Sequence, residues 1–410
     1  MSATPSRRLL RIAAIVWLIG AIAAQPWCVE RWAGRAPLPK AQLLLWGASG
    51  VLVLFAALTW FGAGRSSIAR LNLLAASLVV LGIPLAEVAL RASFLIEGSP
   101  TRAPIRFSHN LLDDDYWVLM GRWTDPEERI APARIHAGLG WSQTDVTQEN
   151  PLGLFPETRG LLKRDGRPKV LFYGDSYVAG QSRPENWIPA YLDARLPGTD
   201  VVNLGVGGYG TGQAYLLYGA TRELVERPLV IMSSMVYDFD RAILSVRSYQ
   251  KPRLRVHDSG TIVVTNTPVD EDPDRFFRDA PLSFQSFVLK ALERRYLPLE
   301  DPLFPEKRAL NRAILEATAD LAASDGSDLL YVLFHPAKEL AEQDFRSQFF
   351  LESLADLGIE CFDTRGPLLD HVADSAVGIG KMYVNGHHND LGNQVIGEAL
   401  LVRLRELGFE

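Results

Sequence analysis

Two hydrophobic rhythms divide the chain. In the first 94 residues apolar side chains come in long, nearly uninterrupted runs, whereas from residue 169 onward short apolar runs alternate with amphipathic stretches of helical period. The long runs cover residues 12–27, 43–61 and 73–90, and the second contains no charge over a length that crosses a bilayer. The first follows Arg7, Arg8 and Arg11, and Ala21-Ile22-Ala23 resembles a leader cleavage site, so a spanning helix and a signal peptide both fit it. The third contains Pro84 and Glu87; the acid is expected near an interface rather than at an intramembrane site. Residues 1–94 are therefore expected to form a membrane region with about three transmembrane helices.

The second rhythm predicts strands at 169–174, 200–204, 228–235, 329–334 and 359–362, with helices at 186–196, 212–225, 309–323, 339–357 and 393–407. Continuous apolar strands separated by amphipathic helices imply an α/β fold with a parallel sheet covered on both faces. Residues 95–164, rich in Pro, Gly and Trp, have no clean period and are expected to be a connecting region. The interval 245–300 interrupts the alternation, and Asp258-Ser259-Gly260 between two short β-type runs predicts an inserted hairpin there.

Charge sharpens this division. Up to Arg91 there are nine Lys/Arg against two Asp/Glu; the rest of the chain holds 33 against 46. So acidic a body does not fit nucleic-acid binding, which needs clustered cations. The basic residues before the first run, with Arg65 and Arg70 between the second and third, assign those segments to the cytoplasm and the C-terminal part to the extracytoplasmic (periplasmic) side of a bacterial-type inner membrane. Arg31, Arg35 and Lys40 in the first loop oppose that orientation. Cys28 and Cys361 suggest neither a disulfide framework nor a metal site. Asp113-Asp114-Asp115 reads as a solvated loop, and His109 and His136 stand apart from other ligand-type residues.

Four stretches at strand ends or near the C-terminus carry candidate chemistry. Gly174-Asp175-Ser176 ends the first strand, where a hydroxyl at the carboxyl edge of an open sheet faces a ligand crevice. The second strand ends in Asn203-Leu204-Gly205-Val206-Gly207-Gly208, whose glycines permit close backbone approach. This loop matches a dinucleotide fingerprint only by spacing, because it follows the second strand and lacks the acidic partner. The third strand ends in Tyr237-Asp238-Phe239-Asp240-Arg241, and Asn385-Gly386-His387-His388-Asn389-Asp390-Leu391-Gly392 precedes the last helix. A histidine from that segment, facing Ser176, supplies the general base that a weakly acidic hydroxyl needs.

Gly174-Asp175-Ser176, 203–208 and 387–392 together resemble the first, second and fifth sequence blocks of the SGNH (GDSL) hydrolases. The resemblance covers roughly residues 165–410. It implies a three-layer, flavodoxin-like α/β/α domain and an ester hydrolase or acyltransferase that needs no metal or organic cofactor. It further implies Ser176 as nucleophile and oxyanion donor, Gly208 as a second donor, and His387 as base. The spacing His387-x-Asn389-x-x-Gly392 selects His387, whereas counting from Asn385 selects His388, which stays as an alternative base. Asp175 and Asn203 belong to the cleft-forming blocks, and Asp238 and Arg241 are expected to pair at the cleft edge.

Two positions depart from the pattern. Asn385 stands where an aspartate would orient the base, and is expected to do so through its side-chain oxygen; Tyr237 stands where an asparagine would complete the oxyanion hole, and its hydroxyl is the candidate replacement donor. A missing triad acid costs about 10⁴-fold in a serine protease, and a missing oxyanion donor about 10²–10³-fold. The leading expectation is a membrane-anchored serine esterase or O-acyltransferase acting on an acylated cell-envelope glycan or lipid. The alternative is a catalytically weakened domain that binds such a glycan, or a partner, without turnover.

Overall fold

The computed structural model describes residues 7–33, 39–61, 66–95, 115, 119, 130–164, 166–273, 275–276, 285–296, 301, 303–375 and 377–410. His109, Asp113 and Asp114 lie outside them. The chain forms two compact units, Met1–Leu111 with Leu282–Phe304, and Leu112–Pro281 with Pro305–Glu410.

The first unit contains helices α1 (Arg7–Ala23), α2 (Pro26–Ala33), α3 (Pro39–Phe61) and α4 (Ser66–Leu95). Within α3, Gln42–Phe61 spans 20 residues at a mean hydropathy of 2.0, long and apolar enough to cross a membrane. Its Leu43, Leu54 and Phe61 are all exposed. The first expected run is divided, because α1 ends at Ala23 and a new helix starts at Pro26, a position where a missing N–H costs nothing. Trp17 of α1 packs on Phe55 of α3 at 5.5 Å, beside the buried pair Ala13 and Ala56. The third run lies within α4, which continues through Pro84. Glu87 has a local task. It accepts hydrogen bonds from the Phe287 N–H, the Val288 N–H and the Ser286 hydroxyl at 3.1, 3.0 and 2.9 Å, so it caps the helix Phe287–Tyr296.

The second unit is built on strands β1 (Lys169–Gly174), β2 (Asp200–Gly205), β3 (Leu229–Met235), β4 (Asp328–Phe334) and β5 (Glu360–Asp363). All five expected strands join one sheet in the order β2-β1-β3-β4-β5, and every pairing is parallel. This is the flavodoxin-like order, whose switch point between β1 and β3 opens a crevice at the carboxyl ends. Every residue of β1 and β3 is buried, which requires cover on both faces.

Helices line the connections between these strands. Helix α5 (Pro156–Lys163) precedes β1, and α6 (Ser176–Ala179) and α7 (Ile188–Asp193) lie between β1 and β2. Helix α8 (Thr211–Thr221) leads to β3, α9 (Phe304–Asp325) to β4, and α10 (Phe345–Asp356) to β5. Helices α11 (Arg365–Ser375) and α12 (Asp390–Glu406) end the chain. The helix expected at 339–357 is divided, because Asp344 caps a fresh start by accepting from the Arg346 N–H.

Residues 130–164 belong to the same unit as the sheet and pack on its β2 edge. An edge strand leaves carbonyls unpaired. Here the Gln143 amide donates to Asn203 O and Gly205 O at 3.1 and 2.9 Å, and the Thr158 hydroxyl donates to Asn203 O at 3.0 Å. Trp141 is fully buried, and its indole N–H donates to Gly207 O at 2.9 Å. This segment therefore fixes the glycine loop after β2. After β3, the insertion carries an antiparallel hairpin of Arg253–Val256 and Ile262–Thr265.

Candidate active site

The nucleophile candidate is placed by sheet sterics. Ser176 opens α6 directly beyond β1, so its N–H is one of the donors that a helix start leaves without an internal acceptor. Asp175 is the cap of this turn, with one oxygen accepting from the Tyr177 N–H at 2.8 Å. Two glycines allow the turn to seat. A Cβ on Gly174 would stand 2.1 Å from Ser233 Oγ, and one on Gly205 2.4 Å from the Ala179 nitrogen. The Asn203 amide ties β2 to the same turn by donating to Val178 O at 3.2 Å.

His387 reaches Ser176 from the other side of the crevice. Its Nε2 lies 2.7 Å from Ser176 Oγ, and its Nδ1 lies 3.1 Å from the main-chain carbonyl oxygen of Asn385. A carbonyl only accepts, so Nδ1 carries the proton and Nε2 is left free to accept from the serine. The orienting contact thus comes from the Asn385 backbone; its side chain is not the group that meets His387, contrary to the expectation for that position.

The local fold explains why asparagine stands there. Tyr383–Val384 and His387–His388 form a small antiparallel hairpin joined by Asn385 and Gly386, whose φ values are +49° and +80°. Two successive positive φ angles define a type I′ turn, for which Asn-Gly is the favoured pair. The Tyr177 hydroxyl donates to Gly386 O at 2.7 Å, and the Tyr177 ring lies 5.2 Å from that of His387. Asn389 caps α12 by accepting from the Gly392 N–H at 3.1 Å. A Cβ on Gly392 would lie 2.5 Å from Met382 O. The asparagine and glycine of the His-x-Asn-x-x-Gly spacing therefore anchor the hairpin to the helix.

His388 faces the interior. Its Nε2 is 3.2 Å from the Tyr383 hydroxyl, which itself donates to His335 O at 2.8 Å. With that hydroxyl proton spent, Nε2 is the donor and Nδ1 is a buried lone pair without a partner. Burial, reinforced by the neighbouring His335 and His387, pushes the His388 imidazole down to about 3. His388 is neutral, and among the described residues the histidine hydrogen-bonded to Ser176 is His387 rather than this alternative.

The Tyr237 hydroxyl also points elsewhere. It donates to Glu339 at 3.2 Å, and the Arg346 guanidinium lies 5.3 Å from its ring. Asp238 and Arg241 do pair, at 2.8 Å, but as a buried group rather than at an open edge. One Arg241 nitrogen serves both Asp238 and Asp175, the latter at 3.2 Å. Two buried carboxylates sharing one cation are costly to ionise together. Burial and the nearby Asp175 accordingly raise Asp238 well above the usual carboxylate range.

The sequence reading missed a second histidine pair at the carboxyl edge. His335, the first residue after β4, lies 2.7 Å from Asp363 at the end of β5. Burial acts to raise the Asp363 carboxyl, but the hydrogen bond and charge of His335 hold it below its ordinary value. A His-Pro following a strand was the available signal. Tyr177 and Tyr383 carried none, because their roles arise only from tertiary contact. Asp115, expected in a solvated loop, is instead shielded and accepts from the distant Ser245 and Val246 N–H groups, whereas His136 Nδ1 accepts from those of Gly138 and Leu139 in its own turn. Among the described residues no group of three or more His, Cys, Asp or Glu is placed to hold a metal. A cavity of about 460 Å³ lies at the β2 edge between α5 and α7, walled by Phe155, Leu161, Trp187 and Asn203 and by neither Ser176 nor His387.

No protein-family model matches the sequence, and no curated protein matches it. Among solved structures, the chain is similar to a member of the lipolytic protein G-D-S-L family from Veillonella parvula. The identity is 13% and the TM-score 0.34, over 57% of this chain and 96% of that one. It is similar to a catalytic mutant of an acetylxylan esterase from Geobacillus stearothermophilus at 17% identity and a TM-score of 0.32, over 60% and 97%. A two-domain esterase active on acetylated mannans aligns at 12% identity and a TM-score of 0.35, over 61% of this chain and 52% of that one.

Proposed function

We propose that the chain is a membrane-anchored serine esterase or O-acyltransferase whose C-terminal unit works outside the cytoplasm on an acylated cell-envelope glycan or lipid. The observation that carries the chemistry is the 2.7 Å contact from Ser176 Oγ to His387 Nε2, with Nδ1 held on Asn385 O. The apolar helix Gln42–Phe61 and the positive-inside bias support the anchor and its orientation.

In this reading Ser176 Oγ attacks the ester carbonyl carbon while His387 Nε2 takes its proton. The carbonyl π electrons move onto oxygen, which receives hydrogen bonds from the Ser176 and Gly208 N–H groups. Collapse expels the alkoxide, and His387 protonates it. An acyl-Ser176 remains. Water then gives hydrolysis, and a sugar hydroxyl gives transfer, with His387 again acting as base. The Asn385 carbonyl fixes the tautomer throughout but offers only a dipole, not a full charge, to the imidazolium.

That last feature also supports a second reading, a domain that holds an acylated ligand without turning it over. Among the described residues no carboxylate contacts His387. Turnover of p-nitrophenyl acetate by the full chain in detergent separates the two readings. Serine catalysis predicts hydrolysis that falls about 10⁴-fold or more in Ser176→Ala. Equal rates for wild type and variant would exclude it and leave ligand binding.

A further inference from the structure

An acyl-transfer site forms its intermediate faster when more preorganised donors face the developing oxyanion. In the serine-esterase reading two come from the main chain, the N–H groups of Ser176 and Gly208. A third, from the end of β3, is absent because the Tyr237 hydroxyl is committed to Glu339.

Ser248 stands beside Gly208, one of those two donors. It occupies the tip of a turn in the insertion, closed by the antiparallel bridge of Val246 with Gln250 and by the Arg247 N–H donating to Tyr249 O at 2.9 Å. Tyr249 is fully buried and its hydroxyl donates to Asp270 O, so the tip is held in place. The Ser248 side chain lies against the glycine loop. Its Oγ would be 2.8 Å from a Cβ built on Gly208, whereas its own Cβ would be 3.9 Å away, so the hydroxyl leads the contact. Adding one C–C bond of about 1.5 Å places Oγ within about 4.3 Å of Gly208 Cα.

Two further observations distinguish this hydroxyl. Gly207, Gly208 and Ser248 are all partly exposed, although their neighbours Val206, Tyr209 and Tyr249 are buried, so the three open to solvent together. Among the described residues the Ser248 hydroxyl has no hydrogen-bond partner. Gly208, at φ +83°, disfavours any L side chain, and a Cβ there would strike the Ser248 oxygen. Both properties of the glycine leave the Ser248 hydroxyl the room it occupies against residue 208.

We propose that Ser248 donates the third hydrogen bond to the oxyanion formed at Ser176, an assignment that rests on the serine-esterase reading above. Ser248 keeps its proton throughout. It stabilises the tetrahedral oxygen while the Ser176 proton travels through His387, and it forms no bond to carbon.

The test measures kcat and KM for p-nitrophenyl acetate on the full chain in detergent, for wild type, Ser176→Ala, Ser248→Ala and Ser248→Thr. Loss of one oxyanion donor predicts a kcat about 10²–10³-fold lower in Ser248→Ala, with KM nearly unchanged. Ser248→Thr, which keeps the hydroxyl, restores most of it, and melting temperatures stay together. If Ser248→Ala matches wild type while Ser176→Ala is inactive, the Ser248 assignment is overturned and the esterase reading stands. A fall in activity that follows a fall in melting temperature, without rescue by threonine, would mark a packing role and overturn it as well. Should Ser176→Ala hydrolyse as wild type does, the esterase reading fails and takes the Ser248 assignment with it.

Discussion

The two halves of the candidate site are built in different ways. The serine half consists of strand ends: Ser176 follows β1 and Gly208 follows β2, held by glycines that admit no side chain and by a sheet buried on both faces. The histidine half is a six-residue hairpin of two-residue strands, Tyr383 to His388, fastened by side chains. Tyr177 clasps its turn, Tyr383 ties its base to His335, and Asn389 joins it to α12. The candidate nucleophile is therefore positioned by backbone sterics, and the candidate base by a few hydrogen bonds. Loss of a single contact should damage the histidine half more selectively.

Tyr177→Phe is the largest expected break in that comparison. Removing the hydroxyl frees Gly386 O and the turn that presents Asn385 O to His387, leaving the fold intact. A turnover loss of about tenfold or more is expected for a misplaced base, with little change in melting temperature. A variant as active as wild type would show that the hairpin holds its geometry without the clasp.

Asn385→Asp sharpens the comparison. Both residues suit the first position of a type I′ turn, and the orienting group is the main-chain carbonyl. Activity should stay within about threefold, far from the 10⁴-fold associated with a triad acid. A rise of a hundredfold or more would mean that the side chain, not the backbone, governs the imidazole.

A separate effect concerns stability and pH. Folding lowers the His388 pKa to about 3 from an ordinary value near 6.5. Between these values the unfolded chain binds a proton that the folded chain refuses, so stability falls as pH drops below about 6.5 and gains nothing from His388 above it. Melting temperatures of wild type and His388→Gln across pH 4–8 should show a shallower acid slope in the variant. Parallel curves would remove His388 from the account.

Legibility in the sequence followed the same division. The five strands were readable because each is a continuous apolar run, and a strand buried on both faces leaves no other pattern. Ser176 and the glycine loop were readable because they punctuate those runs. The hairpin was not, since two-residue strands have no period to detect, although Asn385-Gly386 is itself a strong turn signal. Treating Asn385 as a defective aspartate hid its use as a turn former. Residues 130–164 looked like a connector because Gln143 and Thr158 work through single hydrogen bonds to an edge strand, and such contacts leave no repeating pattern. The break at Asp344 was lost inside a mixed polar and apolar stretch that is helical on both sides.

The central claim is that a histidine oriented by a carbonyl activates Ser176. The most direct measurement is covalent labelling of the full chain in detergent by a fluorophosphonate, with the adduct located by mass spectrometry in wild type, Ser176→Ala, His387→Ala and Asn385→Asp. The account predicts one adduct on Ser176, present in wild type and in Asn385→Asp and absent without Ser176 or His387. A folded wild type that takes no label at Ser176, or a label that survives His387→Ala at the wild-type rate, would contradict it.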